Sequence, residues 1–258
     1  MGVGHLGNLL MIHGVGCDGS AWDRMKPLFE ASGWTCHAPT LFPDRRVREN
    51  PPANLSDLGL QDYIGAMRAE AQRIAAATGQ KPAVIGHSMG GLIAQALAES
   101  GDVSKAVFLT PAQPKGCAVI GPSVAWTFFN VILSQDRKKA HKVWKTGFRY
   151  GVLNCVPKQR HDEIYAGALY DSGRVYGDIT DGIDIDEKKI TIPTLTIAAS
   201  KDRATLAKAV RKVAAKYAAS PVPGDFIEYP DHAHWIVDEP GTDKVVSDIA
   251  AWLKKALA

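Results

Sequence analysis

Ala83-Val84-Ile85-Gly86-His87-Ser88-Met89-Gly90-Gly91-Leu92-Ile93-Ala94 joins a short apolar run to a helix-like run through a very tight turn. The apolar run predicts a buried strand, and the residues after Gly91 predict a helix. Gly86 and Gly90 stand two residues before and after Ser88, where the absence of side chains lets strand and helix approach closely. Ser88 is expected to take a strained backbone conformation at the apex. The stretch therefore predicts a nucleophilic serine at the end of a strand.

Composition predicts a globular chain with one substantial core. The chain has 258 residues, of which 46% are hydrophobic and 22% are charged, enough for a single α/β domain. Thirty Lys and Arg against 27 Asp and Glu give a net charge of +3, so no general affinity for nucleic acid is expected. The first residues lack a signal-peptide pattern, and no apolar run reaches membrane-spanning length. We therefore expect a cytoplasmic protein without membrane insertion.

Neither a disulfide framework nor a metal site is expected. The four cysteines are scattered without a CxxC pair, at Cys17, Cys36, Cys117 and Cys155. The run His161-Asp162-Glu163 contains suitable ligand types, but adjacent residues of a helix point in different directions and could not easily share one ion.

Strand-like and helix-like runs alternate along the rest of the chain. Apolar runs predict strands at 8–13, 34–38, 83–87, 103–109, 192–199 and 225–229. Helical periodicity predicts helices at 61–78, from Ser88 onward, at 206–217 and at 243–257, and Ser20 is expected to cap a helix that carries Trp22 and Phe29. This alternation predicts an α/β fold with a doubly wound, mostly parallel sheet. Such sheets place their sites at the carboxyl ends of the strands.

Between Leu109 and Ile192 the alternation stops, and a helical cap laid over the strand ends is expected there. The first half of this segment is basic and the second half acidic. Two interpretations are open: a basic mouth that attracts anionic substrates or a membrane surface, or solvated helix faces of opposite charge that lie against each other. The second is favoured.

A serine hydroxyl needs a base, and the base needs an orienting acid. His234 follows the last predicted strand and precedes the apolar pair Trp235-Ile236, which favours it over His232 as the base. Asp202 follows the strand at 192–199 and is the expected acid.

Other carboxylates are weaker candidates for the orienting acid. Asp231 and Asp238 lie close to the histidine in sequence but are expected to serve turns or caps. The resulting order Ser88, Asp202, His234 is the one expected after a nucleophile turn.

Two backbone amides are expected to bind the developing oxyanion, those of Met89 and of Val15 in the loop His13-Gly14-Val15-Gly16. His13 is expected to bind loop backbone, and His87 to pack beside the serine. Separately from these amides, the predicted substrate pocket consists of His13, Gly14, His87, Trp126, Phe129 and Trp235, and the aromatic segment 126–129 is expected to form its acyl-binding part.

These motifs resemble those of the α/β-hydrolase superfamily along essentially the whole chain. The resemblance is carried by His13-Gly14-Val15-Gly16 with Trp22, by residues 86–91, by Asp202, and by His234-Trp235 followed by Glu239-Pro240. It implies a core sheet at 1–112 and 190–258, a cap at 113–189, no cofactor, and acyl-transfer hydrolysis of an ester, thioester, lactone or amide. Members that act as haloalkane dehalogenases or epoxide hydrolases carry aspartate where this chain has Ser88, so those activities are not expected.

One departure from the family concerns the amino-terminal edge of the sheet. Members usually have two strands before the one that ends in His-Gly, but only twelve residues precede His13. We therefore expect about six parallel strands without the edge hairpin, with the cap inserted after the fourth.

The predicted activity is that of a carboxylesterase on small or medium apolar acyl esters. Three alternatives stay open at this point: a lactonase, a carbon–carbon bond hydrolase with the same residues, and a ligand receptor on a hydrolase scaffold. A hydroxynitrile lyase would usually need a pocket lysine, and none can be placed there. The expected partner is a small ester or lactone, and the protein is expected to be a monomer or homodimer.

Overall fold

Six parallel strands form the central sheet of this computed structural model, which describes residues 5–134 and 136–255. Their bounds are β1 Gly7–Ile12, β2 Trp34–His37, β3 Ala83–His87, β4 Lys105–Leu109, β7 Thr194–Ala199 and β8 Asp225–Tyr229. The order across the sheet is β2-β1-β3-β4-β7-β8. All five pairings are parallel, which confirms the predicted shortened parallel sheet.

Helices cover both faces of this sheet. They are α1 Lys26–Ala31, α2 Leu60–Thr78, α3 Met89–Glu99, α9 Ala207–Tyr217 and α10 Thr242–Lys255. Alternate residues of β1 point to opposite faces: Leu9 and Met11 join an apolar cluster with residues of α1 and α10, whereas Leu10 and Ile12 join one with residues of α2, α3 and α9. The predicted end of the last helix, at residues 256–257, lies outside the described residues.

The segment between β4 and β7, here called the insert (residues 110–193), follows the fourth strand as predicted. Its elements are α4 Pro122–Thr127, α5 Phe129–Ser134, β5 Ala140–His141, α6 Lys145–Gly151, α7 His161–Ala166, β6 Asp171–Ser172 and α8 Gly173–Asp181. Besides its helices, the insert contains a small antiparallel ladder formed by β5 and β6. The domain boundaries at 112/113 and 189/190 stay a prediction.

Charged residues of the two halves of the insert pair with each other. Arg137 contacts Asp181 at 2.8 Å and Lys145 contacts Asp162 at 2.6 Å. These ion pairs favour the interpretation of opposed helix faces over that of a basic mouth.

The helix expected to begin at Ser20 is divided in two. A 3-10 turn, Gly19–Trp22, is capped by Asp18, whose carboxylate accepts the Ser20 amide, and α1 begins only at Lys26. Pro27 lies in the first turn of α1, where its missing amide is tolerated, but it could not continue a preceding helix. Ser20 is therefore not the cap.

No helix within residues 5–134 and 136–255 is long and apolar enough to cross a membrane. The four cysteines are all free thiols.

The turn between β3 and α3 depends on glycines that lack room for a side chain. A Cβ on Gly90 would lie 2.1 Å from the carbonyl oxygen of Ile12, and one on Gly86 would lie 2.0 Å from that of Gly90. Both obstacles are backbone atoms, which cannot rotate away. In contrast, a Cβ on exposed Gly65 of α2 would meet nothing within 4 Å.

We expect Gly90→Ala to lower the free energy of unfolding by about 3 kcal/mol or more, because the new methyl group must displace β1. Gly65→Ala is the matched control and should raise it by about 0.5–1 kcal/mol through helix propensity. Urea unfolding followed by circular dichroism measures both. Equal midpoints for Gly90→Ala and the unsubstituted protein would contradict this view of the turn.

Candidate active site

Ser88 occupies the turn between β3 and α3 with φ +55° and ψ −118°. A positive φ is uncommon for a residue with a side chain. The turn is tied to the end of β4, because the Ser88 amide donates to the carbonyl of Leu109 at 3.1 Å and the Ala112 amide donates to the carbonyl of Ser88 at 2.8 Å. These bonds hold the hydroxyl at the carboxyl edge of the sheet.

Three predicted residues meet at this edge. Ser88 Oγ lies 3.1 Å from His234 Nε2, and His234 Nδ1 lies 2.8 Å from Asp202 Oδ2. All three side chains are buried. Asp202 follows β7 and His234 follows β8, so parallel strands bring to one edge groups that are far apart in the chain. An imidazole in this geometry can accept the hydroxyl proton while the carboxylate orients the ring.

Asp202 is fully engaged by local donors. Its Oδ1 accepts the amides of Ala204 at 2.7 Å and Thr205 at 2.8 Å. The Thr205 hydroxyl lies 2.8 Å from Asp202 Oδ2 and 3.3 Å from His234 Nδ1. Sequence reasoning missed Thr205, although an Asp followed three residues later by Thr is a pattern in which side chains bind nearby backbone.

The alternative candidates for the base and the orienting acid contact other residues. His232 Nδ1 contacts Glu239 Oε1 at 2.8 Å. Asp231 pairs with Lys201, and Asp238 pairs with Arg160. None of these three is hydrogen-bonded to Ser88 or His234 among the described residues.

The loop after β1 brings its backbone next to the serine. Ile12 pairs with Gly86 at the ends of β1 and β3, and a Cβ on Gly14 would lie 3.1 Å from Ser88 Cβ. Within the described part of the chain, the amides of Val15 and Met89 donate to no protein acceptor. Two free amides next to a serine hydroxyl are available to stabilise negative charge.

Two further buried histidines are held neutral. His13 Nδ1 donates to the carbonyl of Gly14 at 2.9 Å, and its Nε2 accepts the Leu41 amide at 3.1 Å. His87 Nε2 donates to the carbonyl of His234 at 2.8 Å, since a carbonyl can only accept. Burial lowers the pKa of each to about 3, helped by Arg46 at His13 and by His234 at His87.

A cavity of about 20 Å³ lies beside Ser88. The predicted pocket residues Gly14, His87 and Trp235 line it, together with Val15, Ser88 and His234. The insert adds Phe128, which belongs to the aromatic segment 126–129, and three apolar side chains that sequence reasoning missed, namely Val143, Phe148 and Val152. Nothing in the sequence identifies these three, because their position depends on how the insert packs on the sheet.

The pocket prediction is wrong for three residues. Trp126 and Phe129 do not line the cavity but are each 46% exposed, where they pack against Trp144. The chain bends at Phe128, between α4 and α5, and it is Phe128 that lines the cavity. His13 does not line the cavity either, because its ring is hydrogen-bonded to the backbone of Gly14 and Leu41.

A second cavity, of about 310 Å³, adjoins the first. Cys17, Phe148 and Trp235 line both, so they form the wall between them.

The run at 161–163 is committed to protein contacts. His161 Nε2 donates to the carbonyl of Val156, and Asp162 pairs with Lys145. Across residues 5–134 and 136–255, no group of three His, Cys, Asp or Glu side chains is placed to hold a metal ion.

Stability should fall as the pH drops below 6.5. The folded-state pKa of His13 and His87 is about 3, against 6.5 for an ordinary histidine. Between these values the unfolded chain binds more protons, so acid favours unfolding, with a slope approaching about 1.4 kcal/mol per pH unit for each histidine.

Urea unfolding between about pH 7.5 and about pH 5 measures this slope. His87→Gln should reduce it by about one histidine's share, whereas His5→Gln, at an exposed position, should leave it unchanged. An unaltered slope in His87→Gln would contradict the neutral assignment.

Comparison with known proteins shows which family shares this architecture. A model of the alpha/beta hydrolase family matches residues 9–247. No curated protein sequence matches the chain.

Solved structures similar to the chain share its fold at low identity. A monoacylglycerol lipase from Paleococcus ferrophilus has a TM-score of 0.72 and 17% identity, over 99% of this chain and 97% of that one. The methylesterase MES16 from Arabidopsis has a TM-score of 0.69 and 15% identity, over 97% and 98%. A pyrethroid hydrolase from Sphingobium faniae has a TM-score of 0.67 and 18% identity, over 96% and 98%. With the family match over residues 9–247, the chain belongs to the alpha/beta hydrolase family.

Proposed function

We propose that the protein is a serine hydrolase that cleaves carboxylic esters of small or medium apolar acyl groups through an acyl-enzyme. One observation carries the proposal: the unbroken line of contacts from Ser88 Oγ through His234 to Asp202, at 3.1 Å and 2.8 Å. Such a line makes a weakly nucleophilic hydroxyl reactive.

Each group has a defined task in this reaction. His234 Nε2 takes the proton of Ser88 as Oγ attacks the ester carbonyl, and Asp202 stabilises the resulting imidazolium. The amides of Val15 and Met89 donate to the oxyanion. His234 then gives the proton to the departing alcohol. Water, deprotonated by His234, attacks the acyl-enzyme, and the acid and free Ser88 are released.

The size and lining of the cavity support a preference for short acyl groups. A volume of about 20 Å³ admits about one water-sized group. A longer acyl chain must displace the apolar side chains of the insert, above all Phe128, Phe148 and Val152.

The names of similar structures agree with ester hydrolysis. They include a monoacylglycerol lipase and a methylesterase. At 17% and 15% identity they bear on the substrate of this chain only as support for the proposal.

We expect Ser88→Ala to lower the hydrolysis of 4-nitrophenyl acetate by at least about 10³-fold, because the nucleophile is lost. Ser247→Ala, at an exposed position of α10, is the matched control and should retain full activity. A fluorophosphonate probe should label the unsubstituted protein and Ser247→Ala, but not Ser88→Ala.

Equal turnover by Ser88→Ala would refute the proposal. One-time labelling without sustained turnover over a panel of esters, lactones and thioesters would favour the receptor alternative. A lactone hydrolysed far faster than every open-chain ester would favour the lactonase alternative.

Acyl-chain preference tests the cavity directly. The ratio of octanoate to acetate hydrolysis should rise about 10-fold in Phe128→Ala, because the cavity gains the volume of a ring. The neighbouring Phe129→Ala removes an equal ring from the outer surface and should leave the ratio unchanged. If the two variants respond alike, Phe128 does not limit the acyl group.

A further inference from the structure

The Val15 amide has no hydrogen-bond acceptor among the residues that the structure describes, whereas the polar groups around it are hydrogen-bonded. In the loop 13–17, the Gly14 carbonyl accepts His13 Nδ1 at 2.9 Å and the Cys17 amide at 3.3 Å. The Gly16 carbonyl accepts the Leu169 amide at 2.8 Å. The loop is therefore fixed on both sides of Val15, which lines the same cavity as Ser88.

Asp171 holds the next amide of this loop. Its Oδ2 accepts the Gly16 amide at 2.7 Å, although the two residues lie 155 positions apart. The same carboxylate accepts a bidentate pair from Arg46, at 2.9 Å and 2.7 Å, and the hydroxyl of Tyr63. Asp171 and Arg46 are both fully buried at their side chains.

Arg46, the other member of the ion pair, also binds the loop. Its Nη2 donates to the carbonyl of Cys17 at 2.7 Å, and its Nη1 donates to that of Leu41 at 3.2 Å. The pair therefore binds the loop at two successive residues. Asp171 accepts a hydrogen bond from the Gly16 amide, and Arg46 donates one to the Cys17 carbonyl.

The side chain of Asp171 remains ionised although it is buried. Burial alone opposes ionisation of Asp171, but the charge of Arg46 and the hydrogen bonds from Arg46, Gly16 and Tyr63 outweigh it, so the pKa of Asp171 is lowered. A charged acceptor binds an amide more strongly and with tighter geometry than a neutral one.

Stability alone does not account for such a pair. Replacing a buried ion pair by apolar residues of similar volume is often neutral or stabilising. What this pair supplies is a defined position for the backbone that it binds. Here that backbone is the loop next to Ser88.

We propose that Asp171, supplied by the insert, is a positioning residue that holds the Val15 amide in place as an oxyanion donor by binding the Gly16 amide and Arg46. Its role rests on the proposed function, since the Val15 amide matters to the reaction only if an oxyanion forms at Ser88. The insert thereby takes part in the reaction centre without touching the substrate at this residue.

The test compares matched esters with a carbonyl oxygen and a thiocarbonyl sulfur, 4-nitrophenyl acetate and its thiono analogue. Sulfur is a weak acceptor, so the rate on the thiono ester depends less on the oxyanion donors. The ratio of the two kcat/KM values does not depend on how much of a preparation is folded. It therefore separates positioning from a loss of structure.

Asp171→Asn should lower kcat/KM for the oxygen ester by about 10²-fold and the oxygen-to-thiono ratio by about 10-fold. The double variant Arg46→Met with Asp171→Leu leaves no unpaired charge and should show the same fall in ratio. Tyr63→Phe removes a hydrogen bond from the same carboxylate but no contact with the loop, so its ratio should match that of the unsubstituted protein. An unchanged ratio in the double variant would overturn the role of Asp171.

Amide hydrogen exchange decides the matter independently of catalysis. Residues 14–17 should exchange faster in the double variant than in Tyr63→Phe, while α9 exchanges equally in both. Equal exchange at 14–17 would overturn the proposal even if esters are hydrolysed. Absence of Ser88-dependent hydrolysis would instead refute the proposed function, and the exchange result would still decide whether Asp171 fixes the loop.

Discussion

The contact of α3 with β1 is the constraint on which the site depends. At Gly90 the first turn of the helix lies against the backbone of Ile12, with no room for a methyl group. Ser88, two residues before Gly90, has a positive φ, and its Cβ lies beside Gly14 of the loop that follows β1. Because β1 and β3 are neighbours in the sheet, Ser88 and this loop leave the sheet side by side. His234 and Asp202 arrive from strands on the far side of β4.

The parts that were predictable from sequence depend on local pattern and strand ends. A tight strand-to-helix turn is predicted by the pattern Gly86, Ser88 and Gly90. The alternation of apolar runs with helices predicts the parallel sheet. Asp202 and His234 could be selected because each follows a strand.

What escaped prediction depends on packing between distant segments. Phe128 and Phe129 are adjacent and chemically identical, and only the break between α4 and α5 decides which one reaches the cavity. Asp171 and Arg46 are charged residues that a sequence would place on the surface, yet they are fully buried as a pair. Asp18 rather than Ser20 caps the 3-10 turn, and Pro27 lies in the first turn of a separate helix that begins at Lys26.

The short amino-terminal edge of the sheet has a consequence for how freely the insert can be exchanged. Among the described residues, β2, which is four residues long, is the one strand that flanks β1 on its outer side. The end of β1 therefore has one short strand on its outer side. The loop that follows β1 is held by the side chains of Asp171 and Arg46. Chimaeras that graft a foreign insert onto this core would need to carry a carboxylate equivalent to Asp171, or else a new partner for Arg46.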